Sequence, residues 1–162
     1  MGALGVARGV ALALALVGCA TVPPPSLPSP LLGRPVPDFQ RRAIDGRRID
    51  TAALRGRPLV LEFFARYCAP CVRALPRVVA LSQQRPEIAF IGVSEDEWPS
   101  EAARLAGEHG VAFEVVHDAG QVLLGRFRGA GLPLTVVVDP AGIVRWVGSD
   151  SDALAGVLDS IR

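Results

Sequence analysis

With 162 residues, 50% of them hydrophobic, the chain has room for one ordinary core and too little for a second. Its 17 basic and 16 acidic residues nearly cancel, leaving a net charge of +1 and excluding the global field that draws a protein to nucleic acid. Every basic side chain is Arg, and these are scattered along the chain rather than gathered on one segment.

The chain opens with Arg8, an apolar run from Gly9 to Val17, and then Leu16-Val17-Gly18-Cys19, a signal-peptide pattern. Gly9 to Val22 spans only 14 residues before the prolines begin. A spanning helix needs about 20, so a permanent transmembrane helix is disfavoured. Leu16, Val17, Gly18 and Cys19 resemble the lipobox of bacterial lipoproteins. That resemblance implies that Cys19 becomes the diacylated first residue of the mature chain, its thiol consumed in a thioether and the domain held at a membrane. An ordinary secretory signal is the alternative. The following stretch, Thr21 to Pro37, is rich in proline, including Pro23, Pro24, Pro25 and Pro28, and reads as an extended linker. The expected organisation is a signal peptide over 1–18, a lipidated Cys and linker over 19–36, and one domain over 37–162.

Within the domain, Phe39 to Ile44 and Arg47 to Asp50 flank Asp45-Gly46, a turn pair that predicts a short hairpin. Arg41, Arg42, Arg47 and Arg48 lie on it. They read as a solvated turn, with contact to anionic lipid headgroups as the alternative. Pro58 to Phe64 is a nearly continuous apolar run of strand length, broken only by Glu62, as expected for a central strand covered on both faces. Val72, Leu75, Val78, Val79 and Leu81 then recur at helical spacing, predicting a helix over Pro70–Gln84 that Pro76 would kink. A strand over Ile88–Val93, a helix over Ser100–Glu108 and a short strand over Phe113–Val116 continue the alternation. Leu134–Val138 and Ile143–Val147, joined by Asp139-Pro140-Ala141-Gly142, predict an antiparallel pair, and Asp150–Ile161 a closing helix. Strands reached through helical crossovers, then a hairpin and a last helix, make an α/β protein with a mixed sheet between helices.

Excluding Cys19, the two cysteines stand at Cys68-Ala69-Pro70-Cys71, after a buried strand and at the first turn of a helix. Free backbone N–H groups and the positive end of the helix dipole favour an anion there, so the thiol is expected to ionise near neutral pH. The two-residue spacing lets the second sulfur reach the first across one turn, so a mixed disulfide formed by Cys68 can be resolved by Cys71. Pro70 sits where the helix begins, with no orphan N–H to lose. Two bland readings compete. A structural zinc site needs four ligands, and only His109 and His117 lie elsewhere, His117 reading as a surface loop residue. An inert Cys68–Cys71 disulfide would close a very small loop and stabilise little.

The run Val60-Leu61-Glu62-Phe63-Phe64-Ala65-Arg66-Tyr67-Cys68-Ala69-Pro70-Cys71 resembles the active-site segment of the thioredoxin superfamily, and its surroundings resemble the TlpA/ResA-like envelope branch, from Pro37 to Arg162. Pro37-Asp38-Phe39 is similar to the entry of that family's hairpin, Pro76 to its helix proline, and Gly131-Leu132-Pro133-Leu134-Thr135 to the segment carrying its cis-proline. The resemblance implies a thioredoxin-like three-layer sandwich with an added N-terminal β-hairpin. It also implies Cys68 as nucleophile, Cys71 as resolving thiol, Pro133 as the cis-proline of the substrate loop, and substrate contact through Tyr67, Ala69, Pro70 and Leu132. Glu62, six residues before Cys68, matches the buried acid of thioredoxins; a carboxyl inside an apolar strand has a raised pKa and suits a proton acceptor for Cys71. The alternative is a half-exposed strand residue paired with Arg. Where the family usually has Trp, this chain has Tyr67, which brings a hydroxyl and less area.

The function implied is exchange of the Cys68/Cys71 dithiol with disulfide-bearing envelope proteins, in the reducing direction, with electrons from a membrane partner and no cofactor. Two other functions share the fold. A thiol peroxidase needs Thr or Ser shortly before its reactive Cys, where this chain has Arg66 and Tyr67. A copper-delivery protein uses cysteines three residues apart with a His, and the spacing here differs.

Overall fold

A computed structural model describes residues 24–161. Its elements, in chain order, are β1 (Gln40–Arg42), β2 (Arg48–Asp50), β3 (Leu59–Phe64), α1 (Ala69–Gln84), β4 (Ala89–Ser94), α2 (Pro99–Glu108), β5 (Glu114–His117), α3 (Val122–Arg126), β6 (Leu134–Val138), β7 (Val144–Gly148) and α4 (Ser151–Ser160). Two one-turn 3₁₀ segments, Thr51–Leu54 and Ala119–Gln121, complete the set.

The five-stranded sheet runs β5-β4-β3-β6-β7, with β3 parallel to β4 and antiparallel to β6. The apolar runs expected to be central are buried on both faces throughout β3, β4 and β6. Alternation sorts their side chains: Leu59, Leu61 and Phe63 join the core under the hairpin and α3, while Val60 packs with Val78 of α1 and with Leu154 and Val157 of α4. Because β3, β4 and β5 all point the same way, the loops after them gather at one end of the sheet. That end carries the cysteines.

The hairpin is shorter than its apolar limits predict, pairing only Gln40 with Asp50, Arg41 with Ile49 and Arg42 with Arg48. Ala43 keeps one hairpin bond, its N–H donating to Arg47 O at 2.8 Å, and also bridges Val116, while the Ile44 N–H donates to the Val115 carbonyl at 2.8 Å, so from Ala43 on the strand reaches across to β5. Arg47 pairs with Asp45 at 2.6 Å and Glu114 at 3.0 Å, as befits a solvated turn. The expected fourth and fifth strands begin and end one residue later than the apolar runs, and α3 had no counterpart, five residues being too few for a helical period.

Part of the expected linker belongs to the packed domain. The Leu27 N–H donates to Val147 O at 2.7 Å, Gly33 N–H to Val144 O and Val36 N–H to Gly142 O at 2.9 Å each, and Val144 N–H returns a bond to Arg34 O. Proline has no donor, but the residues between the prolines do, and an edge position tolerates the gaps. Leu27–Val36 thereby straps the edge of β7, with Val36 buried and Leu31 and Leu32 against the core. The expected signal segment 1–18 and Cys19 lie outside the described residues. Among the described residues no helix is long and apolar enough to cross a membrane.

Candidate active site

Cys68 ends the turn after β3 and serves as the N-cap of α1, its backbone extended at φ −87° and ψ 93°. The Cys71 N–H donates to Cys68 Sγ at 3.2 Å, so the sulfur takes the place that a capping oxygen fills in most helices. The two cysteines are joined in a disulfide with a Cα–Cα separation of 5.2 Å. Cys68 is 8% exposed and Cys71 2%, which leaves the leading sulfur the more accessible although neither is open. Pro70 occupies the first turn, where a missing N–H costs nothing, and Pro76 lies inside α1.

The loop before β6 lies beside the pair. The Leu132–Pro133 bond is cis, as the resemblance implied. A groove of about 650 Å³ runs between Tyr67–Pro70 on one wall and Gln121, Leu124 and Gly129–Leu132 on the other. Tyr67 is 68% exposed, so its ring forms a rim rather than a lid over the dithiol. Gly129 keeps that wall thin: a Cβ there would meet Leu124 Cδ1 at 2.3 Å. Another crevice, about 580 Å³, lies at the opposite end of the sheet near Arg57 and Phe90 and holds no cysteine.

Glu62 is 3% exposed on the face of β3 that α1 covers, and its Oε2 receives the Thr135 hydroxyl at 2.6 Å. Burial pushes its pKa up to about 8, the Thr135 bond opposing the shift. The half-exposed, Arg-paired alternative is thereby excluded. Thr135 was not read as part of the site; its register opposite Glu62 across β3 and β6 puts it there. His117, read as a surface loop residue, instead ends β5 with its ring Nε2 at 2.8 Å from the Asp96 carbonyl. The buried carboxyls Glu95, Asp96 and Asp118 at this end of the sheet were also not singled out. Their signal was placement, at the C-terminal ends of apolar runs where open α/β sheets hold their sites. Among the described residues no group of three or more His, Cys, Asp or Glu side chains could hold a metal ion.

A mixed sheet with a cystine leading a helix, a cis-proline loop beside it and a buried acid beneath it defines a member of the thioredoxin superfamily. The AhpC/TSA family model matches residues 32–147, and the chain belongs to that family. Thiol-disulfide oxidoreductase ResA of Bacillus anthracis is 26% identical over 115 residues, covering 70% of this chain and 66% of ResA. The chain thus spans just under two thirds of that relative's length. Among solved structures, a thiol:disulfide interchange protein DsbE from Chlorobium tepidum matches with a TM-score of 0.74 at 21% identity, over 85% of this chain and 100% of that one. A secreted Mycobacterium tuberculosis disulfide oxidoreductase homologous to E. coli DsbE matches at 0.70 and 21%, over 75% and 95%. These structures share the thioredoxin-like fold, and the ResA matches bear out the resemblance read from the sequence.

Proposed function

We propose that this chain is a thiol-disulfide oxidoreductase that reduces disulfides of partner proteins outside the cytoplasm, tethered to a membrane through lipid on Cys19. The observation that carries the reading is the Cys71 N–H pointed at Cys68 Sγ at the start of α1. In the reduced protein the same N–H and the helix dipole favour a Cys68 thiolate. That thiolate attacks one sulfur of the partner disulfide, forming a mixed disulfide and expelling the other partner sulfur as thiolate. Glu62 takes the proton from the Cys71 thiol. The Cys71 thiolate then attacks Cys68 Sγ and releases the second partner thiolate, so the partner gains two electrons and the Cys68–Cys71 disulfide forms. Pro133 and Leu132 present the loop against which the partner chain lies, with Tyr67, Ala69 and Pro70 on the facing wall. A membrane dithiol protein then returns two electrons to Cys68 and Cys71.

Insulin reduction by the purified domain, driven by a dithiol reductant, tests the chemistry. Wild type is expected to be active and Cys68→Ser inert; peroxide consumption without insulin reduction would overturn the reading. The reduction potential of the pair tests the direction, a value near those of oxidising enzymes arguing against a reductant. The tether is tested separately. Cys19→Ser should move the protein from the membrane pellet to the soluble fraction while leaving insulin reduction intact.

A further inference from the structure

Asp96 and Asp118 tie down both walls of the groove beside the dithiol. Asp96, just after β4, accepts the Arg66 N–H at 2.7 Å and the Ser94 hydroxyl at 2.9 Å, and so fixes the strand of chain that leads into Tyr67 and Cys68. Asp118, just after β5, accepts the N–H groups of Leu123 and Leu124 at 2.7 and 3.0 Å, both on Oδ2, and so fixes the start of α3, where Leu124 forms the facing wall. The bonds from Arg66, Leu123 and Leu124 all come from backbone N–H groups, so they set positions rather than chemistry.

Glu95 adjoins both. Its N–H donates to Phe64 O at 2.8 Å, which continues the β3–β4 pairing up to the active-site turn. The residue is 5% exposed, yet neither carboxyl oxygen has a hydrogen-bond partner. The charged groups on the elements around it are Asp96 in its own loop, Asp118 and His117 from β5, and Arg66 from the turn before Cys68. Arg66 reaches out to Glu108 of α2 at 3.1 Å, and His117 is occupied by the Asp96 carbonyl at 2.8 Å. No cation is therefore paired with Glu95, and a bare carboxylate there would sit buried against two others. Burial first, then the charge of Asp118, the hydrogen bond that the protonated carboxyl makes to Asp118, and last the charge of Asp96, push its pKa up to about 8.

We propose that Asp96 and Asp118 are positioning residues for the two walls of the substrate groove, and that a proton shared between Glu95 and Asp118 holds those walls together. The protonated Glu95 hydroxyl donates to Asp118 and leaves Oδ2 of Asp118 to its two N–H bonds. Loss of the proton sets three carboxylates against one another in a buried cluster, and the weakest attachments, the backbone bonds to Leu123, Leu124 and Arg66, loosen. A protein disulfide that must lie in the groove then docks less well, while a small disulfide that needs only the sulfur atoms is unaffected. The consequence for substrates rests on the oxidoreductase reading; the coupling of the walls to the proton does not.

The direct test is amide hydrogen exchange by NMR, expressed as protection factors at Arg66, Leu123 and Leu124 from about pH 6.5 to 9.5, a range bracketing the Glu95 transition. In wild type these factors should fall by about fivefold or more across the transition, the low end of ordinary coupling. In Glu95→Gln, which keeps the shape and the neutral charge, they should stay level. In Asp118→Asn, which keeps an oxygen for Leu123 and Leu124 but removes the facing charge, the transition should move to lower pH. Protection that is level with pH in wild type, or a fall that persists in Glu95→Gln, overturns the proposal. The kinetic counterpart is a split: KM for insulin rises over the same range in wild type but not in Glu95→Gln, while the rate with a small aromatic disulfide is equal in both. Wild-type protein that shows the exchange result but reduces no disulfide leaves the coupling standing and defeats the oxidoreductase reading alone.

Discussion

The two sulfurs differ by little in exposure and by much in position. Cys68 caps the helix and borders the groove, whereas Cys71 is nearly sealed, so attack by a partner is expected at Cys68. Cys71→Ser should accumulate a mixed disulfide between Cys68 and the partner, identified by mass spectrometry of the trapped species; trapping through Cys71 in a Cys68→Ser variant would reverse the roles. Glu62 makes a second prediction through its pH dependence. Its carboxylate fraction and the free thiolate fraction of Cys71 both rise tenfold per pH unit while pH lies below their pKa values, so the ratio of wild-type to Glu62→Gln rates should be level there. Above about 8 the Glu62 carboxylate saturates, whereas a thiol with the ordinary pKa of about 8.5 still gains thiolate, and the ratio should shrink. A defect on the order of 100-fold at neutral pH is expected for a lost general base, read as insulin reduction from about pH 6 to 10. A constant ratio over that whole range would leave Glu62 a structural residue.

At the scale of elements, the strap Leu27–Val36 and the short helix α3 extend what the apolar pattern delimits. The strap closes the β7 edge with backbone hydrogen bonds and adds Val36, Leu31 and Leu32 to the core. Burying one such side chain contributes roughly 1.5 to 3 kcal/mol when complete. A chain beginning at Pro37, the boundary that composition marks, should therefore lose several kcal/mol of stability by that estimate and expose a sheet edge prone to pairing. Thermal unfolding of the two lengths checks it, and equal Tm values would show that the strap is dispensable. The helix α3 contributes the far wall of the groove, and its attachment is local: Asp118 below, and Arg126 at its end donating to the Asp38 carbonyl at 2.8 Å.

Across the molecule, two buried acids, Glu62 and Glu95, hold their protons to about 8, whereas the unfolded chain releases them near 4.5. Between those values the unfolded state binds fewer protons, so stability is full below about 4.5 and declines as pH rises towards 8. The slope is at most about 1.4 kcal/mol per pH unit for each acid. Denaturant unfolding of the oxidised protein should show this decline, and Glu62→Gln should flatten it. Stability that rises between pH 5 and 8 would contradict the buried, partly neutral state of these groups. The same acids lie beneath and beside the dithiol, so the end of the sheet that carries the chemistry is also the end most weakened by alkali.

The sequence by itself determined the elements whose signals are local: the apolar run of β3 on either side of Glu62, the helical spacing of α1, the turn at Asp139–Gly142 and the Cys-x-x-Cys at a strand-to-helix junction. These depend on neighbours a few residues apart, and the strand and helix periods expose them. The burial of Glu62 was legible only through its place six residues before Cys68, because one strand residue does not reveal which sheet face is covered. Tertiary structure alone decided the rest. Thr135 meets Glu62 through a register 73 residues apart, and Asp96, Asp118 and Glu95 gather because β3, β4 and β5 run parallel and end together. The prolines of the strap read as a linker because the edge that receives their neighbours' N–H groups is formed more than 100 residues later. In each case the deciding partner is distant along the chain, and only the packed sheet brings it within hydrogen-bonding range.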